Sequence, residues 1–365
     1  WEASRLQHLI ALALIVKTSN NANDKDEAIR IYCEDVLSWY DQNPKFTGIH
    51  YVSSMECALR IISLSISFDL MRNQLGCNKK EVSLAVSSLI TEHAGFIIKR
   101  MSLHSSAGNH VLAESTGLIL AGILFPEHPS SKSWLIFGLK IFDSEIDRQI
   151  NSSGFGIEGA STYLIQIIEY GILCDSVLRK FNFDVPSKTS AALVRGLQQV
   201  NSLRNTLKIY PVVGDSDSGF AVSFLFNEVF YEQERSSDYV ANSHLVAIGK
   251  PTCPLSLVFC NGPLGMAPTY GHGHAHALSI QLYNNGLPVL SDPGTYSYTG
   301  QPNWREYFRS TKAHNTVNIN DKDQAQQELL FMWSKPYNCE NLLFEHYYDS
   351  YICVSQHNGY LDQDV

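Results

Sequence analysis

The sequence predicts an α+β chain in two parts, an all-helical N-terminal part followed by an antiparallel β domain. Three observations predict it. Apolar residues recur with the 3.6-residue helical period through residues 1–205. A turn-rich seam, Gly214-Asp215-Ser216-Asp217-Ser218-Gly219, follows Pro211. Beyond it come short runs rich in Val, Phe, Tyr and Ile. Helices first and strands second exclude a βαβ weave. The division is set at 1–210 and 211–365, and a length of 365 residues fits two domains.

The helical stripes lie at about 4–16, 25–40, 53–70, 80–101, 110–125, 132–149, 160–180 and 188–204. The third shows the pattern plainly, with Met55, Ala58, Leu59, Ile62, Ile66 and Leu70 on one face. Asn43-Pro44, Gly76, Pro126, Pro129, Gly154 and Pro186 supply the breaks. Helices in this number and order close into a bundle, solenoid or toroid. The β runs are Phe220–Tyr231, Leu255–Cys260, Ala277–Tyr283 and Thr316–Ile319, and Asn285-Gly286 marks a hairpin turn. The chain begins at Trp1 in helical texture, and strands are still arriving at Val365, so both ends are expected to continue.

Composition narrows the partners. Hydrophobic residues make up 44% and charged residues 17%, ordinary values for a globular chain. A net charge of −9 gives no general attraction to phosphate backbones, which excludes nucleic acid as the expected partner. No apolar run reaches the roughly 18 residues of a membrane span. The eight cysteines are scattered without a CxxC pair and read as free thiols. Gly154-Phe-Gly156-Ile-Glu-Gly159 matches a dinucleotide fingerprint in letters only, because a polar helix end, not a buried strand, precedes it.

Histidines carry the chemistry. Gly271-His272-Gly273-His274-Ala275-His276 places three imidazoles at alternate positions, which share one face if the segment is extended. Buried imidazoles at this density need either a metal or a hydrogen-bonded network. Asp292 and His314 complete an imidazole–carboxylate set suited to Zn²⁺. A plain hairpin about Asn285-Gly286 sets Asp292 opposite Ser279, so the backbone must bend to bring it to His274. In the helical part, Asn109 and His110 open a helix with Glu114 one turn on, where an N-cap is the simplest role for Asn109. Tyr163 lies in Glu158-Gly-Ala-Ser-Thr-Tyr163 and by itself reads as a half-buried core tyrosine.

Taken as strings, these segments resemble the heparinase II/III-type polysaccharide lyases. Ser106-Ala-Gly-Asn109-His110-Val-Leu-Ala-Glu114 is similar to that family's Asn-His helix start, and Glu158–Tyr163 to the segment with its catalytic tyrosine. His272-Gly-His274-Ala-His276, Asp292-Pro-Gly-Thr-Tyr296-Ser-Tyr298 and Trp304-Arg305-Glu-Tyr307-Phe-Arg309-Ser-Thr-Lys-Ala-His314-Asn-Thr resemble its C-terminal signature. Gly48–Arg60 fits a further helical stretch, and the likeness runs in order from about residue 40 to 320. His276 departs from it, standing where an acidic residue is expected.

The resemblance implies an N-terminal (α/α) toroid followed by an antiparallel β-sandwich, and a bacterial protein expected to be periplasmic or secreted, with a cytoplasmic setting as the alternative left open by the N-terminus. It implies a structural Zn²⁺ held by His274, Asp292 and His314. The implied reaction is β-elimination on a uronate-containing acidic polysaccharide, of heparin/heparan-sulfate, alginate or exopolysaccharide type. The catalytic set is Asn109, His110, Tyr163, His272 and Tyr307. Asn109 and an imidazole would neutralise the uronate carboxylate, and Tyr163 is an acid that also serves as base if a cation lowers its pKa. His110 is the other base and Tyr307 a second acid. Glu114, Arg305 and Arg309 are the substrate-binding candidates, the guanidinium forks matching carboxylates or sulfates, with salt bridges as their alternative. Two other functions compete: a glycoside hydrolase recruiting Glu56, Glu114 or Glu158, and a non-catalytic glycan-binding or export-associated protein.

Overall fold

The computed structural model describes residues 2–104, 106–216, 237–348 and 350–361. Eight α-helices come first among them: α1 (His8–Thr18), α2 (Ala22–Gln42), α3 (Ser54–Met71), α4 (Lys79–Ile97), α5 (Asn109–Leu124), α6 (Ser131–Gln149), α7 (Ser161–Lys180) and α8 (Ser187–Leu207). Each coincides with a stripe read from the sequence, although α4 stops short of residue 101. Local capping fixes several starts. Asn21 accepts from the Asn23 amide at 3.0 Å, and Ser53 accepts from the Met55 amide at 3.2 Å.

The chain forms two compact units, Trp1–Glu145 with Tyr170–Ser187, and Ile146–Glu169 with Lys188–Val365. In the first, α3 packs on α1, α4 and α5. α5 is apolar all round and is buried from Val111 to Ile123, as such a pattern requires. Its Gly117 lies against α3, where a Cβ would come within 3.2 Å of the Ala58 backbone. A buried polar knot accompanies this core: Arg60 donates to His93 Nε2 at 2.8 Å and to the His50 carbonyl at 2.6 Å.

The second unit contains a five-stranded antiparallel meander, β1 (Tyr239–Ala241), β2 (Leu245–Gly249), β3 (Leu255–Cys260), β4 (Ile280–Asn284) and β5 (Leu287–Leu290). Asn285 (φ 51°) and Gly286 (φ 77°) join β4 to β5 with the left-handed pair a tight hairpin turn demands. Two further hairpins are β6 (Gln326–Leu329) with β7 (Met332–Ser334), and β8 (Cys339–Tyr347) with β9 (Ser350–His357). A short helix, α9 (Pro302–Arg309), lies between β5 and β6.

Three sequence readings of strands need comment. Phe220–Tyr231 lies outside the described residues. Thr316–Ile319 is not a strand; only a single bridge, Ile319 to Lys322, forms there. The Ala277–Tyr283 run starts as a strand only at Ile280: Leu278 adopts φ 59° and the Ser279 amide donates to the His276 carbonyl, although the Ser279 carbonyl still accepts from the Cys260 amide. The glycine string at 154–159 follows α6, so the buried strand of a dinucleotide site is lacking there.

Candidate active site

The histidine segment is a looped stretch, so the condition for three imidazoles on one face of an extended segment is not met. Gly273 is what lets it loop. A Cβ there would sit 1.6 Å from the Leu264 carbonyl oxygen, so no side chain fits. A small core of Leu264, Ala275, Ala277, Ala325, Trp333 and Tyr337 supports the loop from below. Trp333 Nε1 donates to the Gly273 carbonyl at 3.0 Å, and the Tyr337 hydroxyl donates to the His274 carbonyl at 2.8 Å. The buried Gln324 side chain pairs with both the N–H and the carbonyl of Ala277. The result sends His272 one way and His274 with His276 another.

His272 turns toward the first turn of α7, where its ring stacks on Tyr163 with centroids 3.8 Å apart. The Tyr163 hydroxyl lies 3.0 Å from the Tyr298 hydroxyl. Tyr298 in turn stacks on Phe331, 5.6 Å between centroids. An imidazole and two phenols therefore converge at half-buried positions, which is a proton-transfer constellation. Behind them sits Asp215, fully buried. It accepts from His272 Nδ1 at 2.9 Å, from His274 Nε2 at 2.9 Å, and from both Nη atoms of Arg305. Burial alone would raise the Asp215 carboxyl, yet the hydrogen bonds from His272, His274 and Arg305 hold it well below the usual carboxylate range.

His274, His276 and His314 form the second cluster, with one nitrogen of each within 4.8 Å of the others. Asp292 joins it, its Oδ2 3.5 Å from His314 Nε2 and both side chains 1% exposed. The bend needed for this comes from the loop before β4 and from a bulge at Leu282/Tyr283. The ring of His314 donates from Nδ1 to the Ser310 carbonyl at 2.8 Å, which leaves a lone pair on Nε2. That lone pair faces His274 Nδ1 at 3.3 Å. Since His274 Nε2 contacts the Asp215 carboxylate, two lone pairs and the Asp292 carboxylate point at one place. Among the described residues, Asp292 Oδ2 and His276 Nδ1 are buried without hydrogen-bond partners. The three imidazoles could hold a cation between them, with the Asp292 carboxylate beside His314, a donor set of a kind that suits Zn²⁺. Burial holds His276 well below the ordinary histidine pKa and lowers His314, so both favour the neutral, ligating form.

The remaining sequence candidates are placed differently. Asn109 and His110 open α5 in the first unit, where Gly108 rather than Asn109 takes the cap position. Glu114 is fully buried and accepts from Ser102 N and Oγ, each at 2.7 Å. It holds the 102 loop to α5. Arg305 and Arg309 are both fully buried. Arg305 is committed to Asp215, while Arg309 donates to the Leu330 carbonyl at 2.6 Å and lies 4.6 Å from the centre of the Trp333 ring. Burial, with the charge of Arg305 nearby, pushes the Arg309 guanidinium down to about 9. α9 thus turns its arginines inward and its aromatics outward, leaving Tyr307 about half exposed beside Trp304 and Phe308. Glu56, a carboxylate available to a hydrolase, is buried against Arg5 at 2.9 Å.

Residues 1–230 match the heparinase II/III N-terminus, and residues 235–365 match the heparinase II/III-like C-terminal domain. The chain belongs to the heparinase II/III family. Among curated relatives, a heparin-sulfate lyase of Bacteroides stercoris is 24% identical over 284 residues, 67% of this chain and 40% of the relative. A heparin-sulfate lyase of Pedobacter heparinus is 20% identical over 355 residues, 89% of this chain and 52% of the relative. The chain spans about half the length of the curated relatives it matches. Of solved structures, a heparinase III matches over 94% of this chain and 57% of its own, with TM-score 0.72 and 19% identity. A heparan sulfate lyase mutant from Pedobacter heparinus matches over 99% and 58%, with TM-score 0.65 and 16% identity. The fold class is the one heparinase III has, an (α/α) toroid followed by an antiparallel β-sandwich.

Within this heparinase II/III-like chain, sequence reasoning missed three participants. Asp215 sits in a turn-rich seam whose letters read as a linker. Tyr298 is one aromatic among several in a recognised string, and His276 is legible as one of three alternating imidazoles and as a departure from the family pattern, but not as a member of the ligand set. No spacing in the sequence signals Asp215, because its histidines lie 57 and 59 residues away.

Proposed function

We propose that the chain carries the catalytic part of a polysaccharide lyase that cleaves a uronate-containing acidic polysaccharide by β-elimination. Heparin-sulfate-type chains are the first substrates to consider, since the relatives are named for lyases of that polymer. One observation carries the reading: a phenol hydrogen-bonded to a second phenol and stacked on an imidazole backed by a buried carboxylate. Elimination needs a base for the weakly acidic proton at C5 and an acid for the departing O4. With Asp215 on its Nδ1, His272 presents Nε2 as the base. Tyr163 is then the acid that gives its proton to O4, and the Tyr298 hydroxyl stabilises the phenolate left behind. Asn109, with His110, neutralises the uronate carboxylate, so that charge developing on the enolate meets fixed donors. A Zn²⁺ held by His274, His276, His314 and Asp292 supplies structural cross-linking of the loop that bears His272.

A periplasmic or secreted setting goes with this reading. Among the described residues no helix is long and apolar enough to cross a membrane. The test of the assignment is Tyr163→Phe, expected to cut turnover on the order of 10²–10⁴-fold with the fold intact by circular dichroism. Near-normal turnover in that variant would return Tyr163 to a packing role.

A further inference from the structure

Asp215 touches both histidine groups, and its surroundings bring it there by several independent contacts. Its own amide donates to the His272 carbonyl at 2.9 Å. Preceding it, Gly214 adopts φ 63°, and a Cβ there would meet the Gly159 and His272 carbonyl oxygens at 2.5 and 2.8 Å. One residue further back, Val213 is stapled to the start of α7: its amide donates to Ser161 Oγ at 3.1 Å and its carbonyl accepts from Ser161 N at 2.9 Å. On the other side, the Ser216 amide donates to Thr295 Oγ1 at 2.6 Å. The passage of 213–216 is therefore fixed to the helix bearing Tyr163, to the loop bearing His272 and His274, and to the segment after Asp292.

We infer that Asp215 is a positioning residue that sets the tautomers of two histidines at once, making His272 Nε2 the base and His274 Nδ1 a metal ligand. A carboxylate gripped on both oxygens by the Arg305 fork can only accept. Each ring nitrogen facing it must then carry a proton: Nδ1 of His272 on Oδ2, and Nε2 of His274 on Oδ1. The opposite nitrogen of each ring is left with its lone pair. For His274 that nitrogen faces His314 Nε2, within the group of three histidines that could hold a metal. For His272 it is the nitrogen away from Asp215, on the ring stacked over Tyr163. One buried carboxylate thereby serves two jobs usually given to separate residues, the orienting partner of a catalytic base and the outer partner of a ligating histidine. Arg305 neutralises its charge, which explains why a family motif arginine is buried rather than presented to substrate.

This inference rests on the lyase reading for the word base, but its test does not. The whole protein, labelled with ¹⁵N at histidine rings and loaded with Zn²⁺, should show His272 protonated at Nδ1 and His274 at Nε2 in ¹H–¹⁵N correlation spectra. Either ring in the opposite tautomer would overturn the inference, and no variant is needed to find out. Asp215→Asn offers one acceptor oxygen in place of two, so it should weaken Zn²⁺ affinity on the order of 10–100-fold. It should also cut kcat by roughly 10²-fold or more while KM stays within about threefold. Asp215→Asn keeping native Zn²⁺ affinity and native kcat would equally refute it. If every uronate polymer proves inert with the native protein while the tautomers and the Zn²⁺ loss are as stated, the lyase reading fails and the positioning role of Asp215 stands.

Discussion

Glu114 gives a prediction whose size follows from its surroundings. The side chain is buried in α5 with only Ser102 for company, and burial pushes its carboxyl up to about 7 from 4.5 despite the two Ser102 hydrogen bonds. The folded state therefore binds the Glu114 proton more tightly than the unfolded chain does. Stability from this group is fully present below the unfolded pKa and is lost as pH rises through about 7. A shift from 4.5 to about 7, at about 1.4 kcal/mol per pH unit, makes the ionised carboxylate cost about 3 kcal/mol at pH 8. Glu114→Gln keeps an acceptor for the Ser102 amide and an amide donor for its hydroxyl, without the charge. Urea unfolding of both proteins between pH 5 and pH 8.5 measures the difference, and groups titrating elsewhere cancel in it. The two proteins should be nearly equal near pH 5, with the variant more stable by up to about 3 kcal/mol above pH 8. Parallel stability curves would refute the burial argument. A large rise in KM in the variant would instead restore Glu114 to the substrate site.

Gly273→Ala should destabilise the second unit by about 3 kcal/mol or more, since the added Cβ would meet a backbone carbonyl rather than a side chain that can swing away; an unchanged melting temperature would contradict the packing described. His274→Ala should abolish stoichiometric Zn²⁺ by elemental analysis and lower Tm, and stripping the native protein with chelator should reproduce that loss until Zn²⁺ is restored. Native protein purified without chelator but free of metal would end the metal assignment.

Much of the fold was legible because its signals are local. The stripe through Met55, Ala58, Leu59 and Ile62 became a buried helix face, and Asn285-Gly286 became a hairpin, as periodicity and turn chemistry require. The Asn109, Tyr163 and His272 strings were readable through family resemblance, and Tyr163 does meet His272. What failed depended on distance along the chain. Asp215 lies 57 and 59 residues from its two histidines, and 90 from Arg305, so no spacing rule connects them. For the same reason Arg305 and Arg309 looked like surface forks: their inward orientation is set by Asp215 and by the backbone at 329–330. His276 entered the metal cluster because the loop is bent at Gly273 and Leu278, whereas strict alternation would have kept all three histidines together.

The measurement that bears most directly on the lyase account compares two substrates that differ only at the carboxyl group. The native protein should cleave a uronate-containing heparan-type polysaccharide and raise near-ultraviolet absorbance, because elimination leaves a C4–C5 double bond conjugated with the carboxylate. The same polymer with its carboxylates reduced to alcohols should not be cleaved, since C5 is then no longer acidified. Reaction in ¹⁸O-water should leave no label in the new ends. Chain cleavage of the reduced polymer, with water oxygen in the product and no absorbance rise, would contradict elimination and point to hydrolysis instead.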